Sequence, residues 1–192
     1  TQFDSIVKMS HLRAQVMQIY NQTKSYLKNP QPVSDNLLYG EFHENSKHTT
    51  RMPYMEAVYD VLEKNHGKVI YFDFWARWCP PCLTEMEPLK QLRSKFSTND
   101  LIIYSICVSE PKEQWEECLN EYSLKNCGIE CVHVTDYLGI DNYQKIRKQW
   151  KIDRIPYYIL INRKGQIIDF GATARPSNPQ LVSRIEDAVN SK

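Results

Sequence analysis

The sequence lacks a long apolar run and a long run of charge of either sign. A membrane-spanning helix needs about 18 or more consecutive apolar residues, and no stretch of this chain approaches that length. Its 24 basic and 23 acidic side chains nearly cancel, leaving a formal net charge of +1. The chain therefore lacks the marks of a membrane span, of a nucleic-acid-binding protein and of a protein that binds anionic membrane surfaces.

The sequence also lacks a dense set of cysteines, although its six among 192 residues are too many to be ignored. That number is too small for a miniature scaffold held by disulfides, and a chain of this length with 42% hydrophobic residues can bury a core without them. Each cysteine therefore needs its own explanation. The chain begins with Thr1 rather than Met, and we expect a processed protein whose signal peptide or anchor has been removed.

The first 52 residues differ in pattern from the rest. Apolar residues at three- and four-residue spacing predict one helix over residues 4–28. Residues 29–52 are polar and contain prolines, which predicts an irregular linker. We therefore expect a helical extension and linker over residues 1–52 and a separate domain over residues 53–192.

The second domain alternates between strand and helix patterns. Apolar runs predict strands over residues 69–75, 101–108, 131–135, 157–162 and 166–170. Helical spacing predicts helices over residues 53–67, 81–96, 112–122, 142–150 and 179–189. This order predicts an α/β fold, a mixed sheet with helices on both faces.

Two thiols, Cys79 and Cys82, lie where the first predicted strand turns into a helix. The unpaired N–H groups and the dipole at a helix N-terminus stabilise a thiolate and lower the pKa of the thiol. Cys79 is the predicted exposed nucleophile, and Cys82, one turn further in, is the thiol that resolves a mixed disulfide. C-x-x-C is also half of a zinc site, but strand, then C-x-x-C, then helix favours redox chemistry.

Two carboxylates accompany the thiols. Asp73 interrupts the apolar strand six residues before Cys79, where burial should raise the pKa of its carboxyl group towards neutrality. It would then be a proton acceptor for Cys82, directly or through water; the alternative is a carboxylate that reaches solvent at the strand end. Glu85 shares a helix face with Cys82, and a glutamate in a first helical turn can simply complement the helix dipole.

The segment "DFWARWCPPC" resembles the active-site segment of thioredoxins. "WCPPCLTEM" together with "RIPYYILINRKGQII" resembles the TlpA/ResA-type branch of thioredoxin-like proteins, which is found in bacterial cell envelopes. The resemblance covers the chain from about Met52 to its C-terminus. It implies a thioredoxin-like fold that reduces protein disulfides in the periplasm or envelope, with a membrane-bound redox partner upstream. It also implies no cofactor beyond the redox-active Cys79–Cys82 disulfide.

The same resemblance assigns roles to individual residues. The residue matching Asp73 serves thioredoxins as a proton acceptor. A functional glutamate occupies the position of Glu85 in the envelope branch, which implies that Glu85 tunes the dithiol. A cis-proline is implied at Pro156, where the backbone of Ile155 would bind an extended substrate segment. Two aromatic residues beside the thiols either wall the substrate site or belong to the core: Trp75 and Trp78.

The other four cysteines have separate interpretations. Cys107 and Cys118 are predicted to be small buried hydrophobic residues. Cys127 and Cys131 flank a glycine in "NCGIEC", and a local disulfide is the leading interpretation. The alternatives are two free thiols or a metal site completed by His133.

Two other functions remain open from the sequence. One is a metallochaperone-like module whose thiols bind copper or zinc. The other is a disulfide isomerase or oxidant that dimerises through the helix over residues 4–28. Because dithiol potentials in this fold range from roughly −270 to −120 mV, the motif does not fix the direction of electron flow.

Overall fold

The computed structural model describes residues 53–108 and 111–191. The helix predicted over residues 4–28 and the linker predicted over residues 29–52 lie outside the described residues. Within the described part, no helix is both long and apolar enough to cross a membrane.

The described residues form a five-stranded mixed sheet whose strand order is β3-β2-β1-β4-β5. The central strand β1 pairs in parallel with β2, and β2 in parallel with β3. On the other side β4 is antiparallel to β1, and β5 is antiparallel to β4. The strands are β1 (Val69–Trp75), β2 (Leu101–Cys107), β3 (Glu130–His133), β4 (Tyr157–Ile161) and β5 (Ile167–Phe170).

Helices connect and cover these strands. Two short 3-10 turns, Pro53–Met55 and Gly171–Ala174, precede the first helix and follow β5. The α-helices are α1 (Glu56–Lys64), α2 (Pro80–Leu83), α3 (Met86–Lys95), α4 (Lys112–Glu121), α5 (Val134–Tyr137), α6 (Ile140–Gln149) and α7 (Pro179–Asn190).

Both faces of the sheet are buried under helices. Because side chains alternate along a strand, Tyr71 lies on one face of β1, where it joins a core cluster with Leu89 of α3 and Ile185 of α7. Phe74 lies on the other face, and its ring stacks on Tyr143 of α6 with centroids 6.2 Å apart. The predicted mixed α/β sheet with helices on both faces is confirmed.

The single helix predicted over residues 81–96 is wrong, because the chain forms two helices there. Helix α2 already begins at Pro80, ends at Leu83, and is separated from α3 by a turn at Thr84 and Glu85. Pro88 has no N–H group to donate to the Thr84 carbonyl, and its ring crowds that carbonyl. The break therefore lies four residues before the proline.

The region after β3 also differs from its prediction. The strand ends at His133 rather than at residue 135, and helix α5 follows at once. The His133 imidazole accepts a hydrogen bond from the Thr135 backbone N–H at 3.4 Å, which satisfies a free donor of the first helical turn. Because a histidine is a rare N-cap, the apolar pattern "CVHVT" predicts only a strand and not the helix that follows it.

Candidate active site

The two thiols of the C-x-x-C motif are joined at the start of α2. Cys79 is the N-cap residue of α2, and a disulfide bond links it to Cys82, with Cα atoms 5.2 Å apart. The Cys82 N–H donates to the Cys79 carbonyl at 2.9 Å. One helical turn therefore holds both sulfurs at a spacing at which the bond can form and break without moving the backbone.

The surroundings of the disulfide are more enclosed than the sequence predicts. Cys79 is 4% exposed and Cys82 is 1% exposed, so Cys79 is the more accessible sulfur but is not openly exposed. Trp75 is fully buried in the same cluster as the disulfide, which agrees with the core alternative for this residue. Trp78, by contrast, is 62% exposed beside Cys79 and can contact another molecule.

The Ile155–Pro156 peptide bond is cis, which confirms that prediction. Ile155 packs against the cluster that contains Cys79 and Cys82. Helix α6 holds the segment before Ile155 in place, because the Arg147 side chain donates a hydrogen bond to the Ile152 carbonyl at 2.7 Å. The structure therefore places Ile155 against the same core cluster as the dithiol, although 73 residues or more separate them in the sequence.

Asp73 is a buried carboxylate on the dithiol side of the sheet. It is 4% exposed and lies on the same face of β1 as Trp75. The hydroxyl of Ser105, directly opposite in β2, donates to Asp73 Oδ2 at 2.9 Å. Burial raises the pKa of Asp73 to about 7; the Ser105 hydrogen bond opposes this rise and the charge of Glu85 adds to it. Asp73 can therefore exchange a proton near neutral pH.

Glu85 lies in the turn between α2 and α3 and is 6% exposed. Its carboxylate accepts two hydrogen bonds from Ser177, one from the backbone N–H and one from the hydroxyl, each at 2.8 Å. The Arg175 guanidinium lies 3.6 Å away. Glu85 thus ties the segment before α7 to the helix that carries the dithiol.

Sequence reasoning missed Ser105, Arg175 and Ser177. A signal for Ser105 was present, because it interrupts the apolar run "LIIYSICV" much as Asp73 interrupts its own strand. The contacts of Glu85 had no such signal, since Ser177 lies 92 residues further along the chain.

Two of the remaining cysteines, Cys107 and Cys118, are fully buried as predicted. The disulfide predicted between Cys127 and Cys131 is wrong, because both residues are free thiols. The Cys127 thiol donates instead to the Leu124 carbonyl at 2.9 Å, and burial raises the pKa of the Cys131 thiol to about 12. The local loop therefore already gives Cys127 a partner, and Cys131 stays protonated.

The metal-site alternative at Cys127 and Cys131 has no third ligand in the described part of the chain. There, no group of three or more His, Cys, Asp and Glu side chains is placed to hold a metal ion. The His133 imidazole is the cap of α5 and packs on the Trp115 ring, with centroids 5.5 Å apart.

The amino-acid sequence is similar to that of a known family and of several known proteins. The profile of the Redoxin family matches residues 49–189. The thiol-disulfide oxidoreductase ResA of Bacillus thuringiensis (strain Al Hakam) is 26% identical over 108 residues, which are 56% of this chain and 57% of the relative. The sporulation thiol-disulfide oxidoreductase A of Bacillus subtilis (strain 168) is 23% identical over 108 residues, 56% of this chain and 61% of the relative. The chain thus matches little more than half the length of these curated relatives.

Solved structures agree with the fold. A candidate thiol-disulfide oxidoreductase from Bacteroides vulgatus is 34% identical, with a TM-score of 0.53 over 66% of this chain and 76% of that one. The thioredoxin domain of another Bacteroides vulgatus oxidoreductase is 23% identical, with a TM-score of 0.56 over 67% and 84% of the two chains. The thioredoxin-like fold and the resemblance to the TlpA/ResA-type branch are confirmed.

Proposed function

Because the chain belongs to the Redoxin family, we propose that it is a thiol–disulfide oxidoreductase that reduces protein disulfides through Cys79 and Cys82. The observation that carries this proposal is the Cys79–Cys82 disulfide at the first turn of α2, in a core cluster that Ile155 packs against and next in sequence to the exposed Trp78. A purely structural disulfide would need neither an exposed aromatic side chain nor a buried carboxylate on the same side of the sheet.

The first step uses the reduced dithiol. The Cys79 thiolate attacks one sulfur of the substrate disulfide, forms a mixed disulfide and releases the other substrate sulfur as a thiolate, which takes a proton from solvent. Cys79 is suited to this attack because it is the more exposed sulfur and occupies the N-cap position of α2.

The second step closes the protein disulfide. The Cys82 thiol gives its proton to Asp73, directly or through water, and its sulfur attacks Cys79. The second substrate sulfur leaves as a thiolate and takes a proton from Asp73 or from solvent. Two electrons have then passed from the protein dithiol to the substrate disulfide. The buried carboxyl group of Asp73, with a pKa of about 7, suits a proton acceptor that works near neutral pH.

The substrate-binding residues are part of the same proposal. The backbone of Ile155, next to the cis-proline Pro156, offers N–H and C=O groups to an extended peptide. Trp78 packs on apolar side chains next to the disulfide of the bound substrate. Glu85 supports the dithiol indirectly, by holding the turn after α2 in place through Ser177.

The family resemblance also supports a proposal for the location and the redox partner. We place the protein in the periplasm or cell envelope, where it reduces protein disulfides and receives electrons from a membrane-bound redox partner. Another thiol reductant must supply two electrons per cycle in any location, because each turnover leaves the protein oxidised.

Reduction of insulin disulfides in the presence of dithiothreitol tests the proposal. The parent protein should accelerate insulin precipitation, whereas Cys79→Ser and Cys82→Ser should each lose the acceleration. Cys127→Ser is the matched control, because it removes a free thiol outside the site and should keep the parent rate. A parent protein that does not exceed dithiothreitol alone, or a Cys79→Ser variant that remains active, rules the proposal out.

A further inference from the structure

We propose that Ser105 is a positioning residue for the dithiol reaction: its hydroxyl orients the Asp73 side chain and stabilises the carboxylate form that accepts the proton of Cys82. The inference deepens the proposed function and rests on it.

The geometry of the Ser105 contact is specific. Ser105 and Asp73 are directly opposite each other in the parallel β1–β2 pair, and the hydroxyl donates to Asp73 Oδ2 over 2.9 Å. Ser105 is fully buried and Asp73 is 4% exposed, so water cannot easily replace this hydrogen bond. Hydrogen bonds to a charged group are the stronger kind, and a donor to a carboxylate favours its ionised form.

The other groups that face Asp73 do not favour its ionised form. Glu85, from the turn between α2 and α3, adds a negative charge that raises the pKa of Asp73, although Arg175 pairs with it. Three neutral groups complete the surroundings of Asp73, and burial raises the pKa of each: Tyr71 on the same strand β1, Tyr158 on β4 opposite Asp73, and Cys131 on β3 opposite Ser105.

The equilibrium between the protonated and ionised forms of Asp73 therefore depends on the Ser105 hydroxyl. Burial and Glu85 push the proton onto the carboxyl group, and the Ser105 hydrogen bond pulls in the opposite direction. The result is a pKa of about 7, at which half of the molecules hold a carboxylate at neutral pH. Without the hydroxyl, the titration midpoint should rise by about one pH unit, the size expected for one hydrogen bond to a buried charge.

A direct titration tests this without any activity assay. The carboxyl carbon of Asp73 is followed by NMR against pH in the oxidised protein, in the parent and in two variants. Ser105→Ala should move the midpoint upward by about one pH unit. Ser105→Thr keeps the hydroxyl and should stay close to the parent value. An unchanged midpoint in Ser105→Ala, or an equal rise in Ser105→Thr, overturns the inference.

The second measurement connects the contact to the reaction. In single-turnover reduction of a disulfide peptide at neutral pH, Ser105→Ala should slow closure of the protein disulfide about fivefold, since the carboxylate fraction falls from a half to about a tenth. The rate should recover at higher pH. In an Asp73→Asn background the same Ser105→Ala change should have no further effect; an equal slowing there overturns the inference.

The two proposals fail in different ways. If the parent protein reduces no disulfide, the proposed function is wrong whatever the titration shows. If the parent is active and Ser105→Ala leaves both the titration and the pH profile unchanged, only the role of Ser105 is wrong. Should Ser105→Ala not fold, Ser105→Cys replaces it, because a thiol has a similar volume and is a much weaker donor; it should raise the midpoint in the same direction.

Discussion

At the scale of the residue, Asp73 combines a functional advantage with a cost in stability. Its pKa in the folded protein is about 7 against a reference of 3.8, so between these values the folded state binds more protons than the unfolded state. The free energy of unfolding therefore falls as pH rises from about 4 to about 8. The loss is complete above about pH 8 and amounts to roughly 4 kcal/mol at 1.36 kcal/mol per pKa unit.

Asp73→Asn should remove this penalty. At about pH 8.5 the oxidised variant should be more stable than the parent by a few kcal/mol, and near pH 4 the gain should be small. Urea unfolding at the two pH values measures the difference. Asp153→Asn is the control, because that carboxylate is mostly exposed beside Arg154. A gain of equal size at both pH values would show that the charge of Asp73 is not its source.

A pair of stacked tyrosines provides a second residue-scale prediction. The Tyr71 hydroxyl donates to the Ala174 carbonyl at 2.6 Å within the core, whereas the buried Tyr158 hydroxyl has no hydrogen-bond partner among the described residues. The two rings stack with centroids 5.9 Å apart. They therefore share one environment and differ in hydrogen bonding.

Tyr71→Phe should cost about 1–3 kcal/mol of unfolding free energy, because it leaves the Ala174 carbonyl buried without that donor. Tyr158→Phe should be neutral or stabilising, since it removes an unpaired buried hydroxyl. Chemical denaturation of both oxidised variants measures the contrast. Equal losses in the two would contradict the assignment of these hydrogen bonds.

At the scale of the element, Glu85 fixes the turn between α2 and α3 to the segment before α7. Glu85→Gln should destabilise the protein by about 1.5–3 kcal/mol, the range for hydrogen bonds to a charged group. Glu87→Gln is the matched control two residues away, because that side chain is 64% exposed and pairs with Lys90 at the surface; its loss should be below about 1 kcal/mol. The denaturation midpoints of the two variants should differ clearly, and similar midpoints would mean that the Ser177 contact contributes little.

Elements were predictable where their cause is local. An apolar run predicts strand β1. An Asn–Pro pair predicts the start of α7, since Asn178 caps the helix and Pro179 begins it. The break before α3 was also local, and the rule for Pro88 was available, but helical spacing across the break concealed it. The anchoring of Glu85 by Ser177 depends on how α7 packs on the sheet, which no local pattern contains.

At the scale of the whole molecule, residues 53–191 contain the described sheet, the two described core clusters and the dithiol. We therefore expect a fragment of residues 53–192 to unfold cooperatively and to reduce insulin at a rate close to that of the full chain. Circular dichroism and the insulin assay, with the full chain as reference, measure this. A fragment that does not fold would show that the first 52 residues belong to the domain.

The sequence also left a dimeric isomerase open through residues 4–28. Sedimentation of the full chain and of the chain without residues 1–28 decides this, because a dimer that depends on the predicted helix should become a monomer on truncation. An unchanged monomer mass removes the isomerase alternative. The fold class and the two thiols followed from motifs, whereas assembly depends on a surface that motifs do not describe.

In the proposed reaction Cys79 attacks a substrate disulfide and Cys82 resolves the mixed disulfide that forms. The most direct test incubates reduced Cys82→Ser protein with a disulfide-containing peptide and identifies the product by mass spectrometry after proteolysis. Because this variant lacks the resolving thiol, the proposed reaction predicts a lasting mixed disulfide, with one peptide per chain attached at Cys79. A chain with no adduct, or with the peptide attached at Cys127 instead, would contradict it.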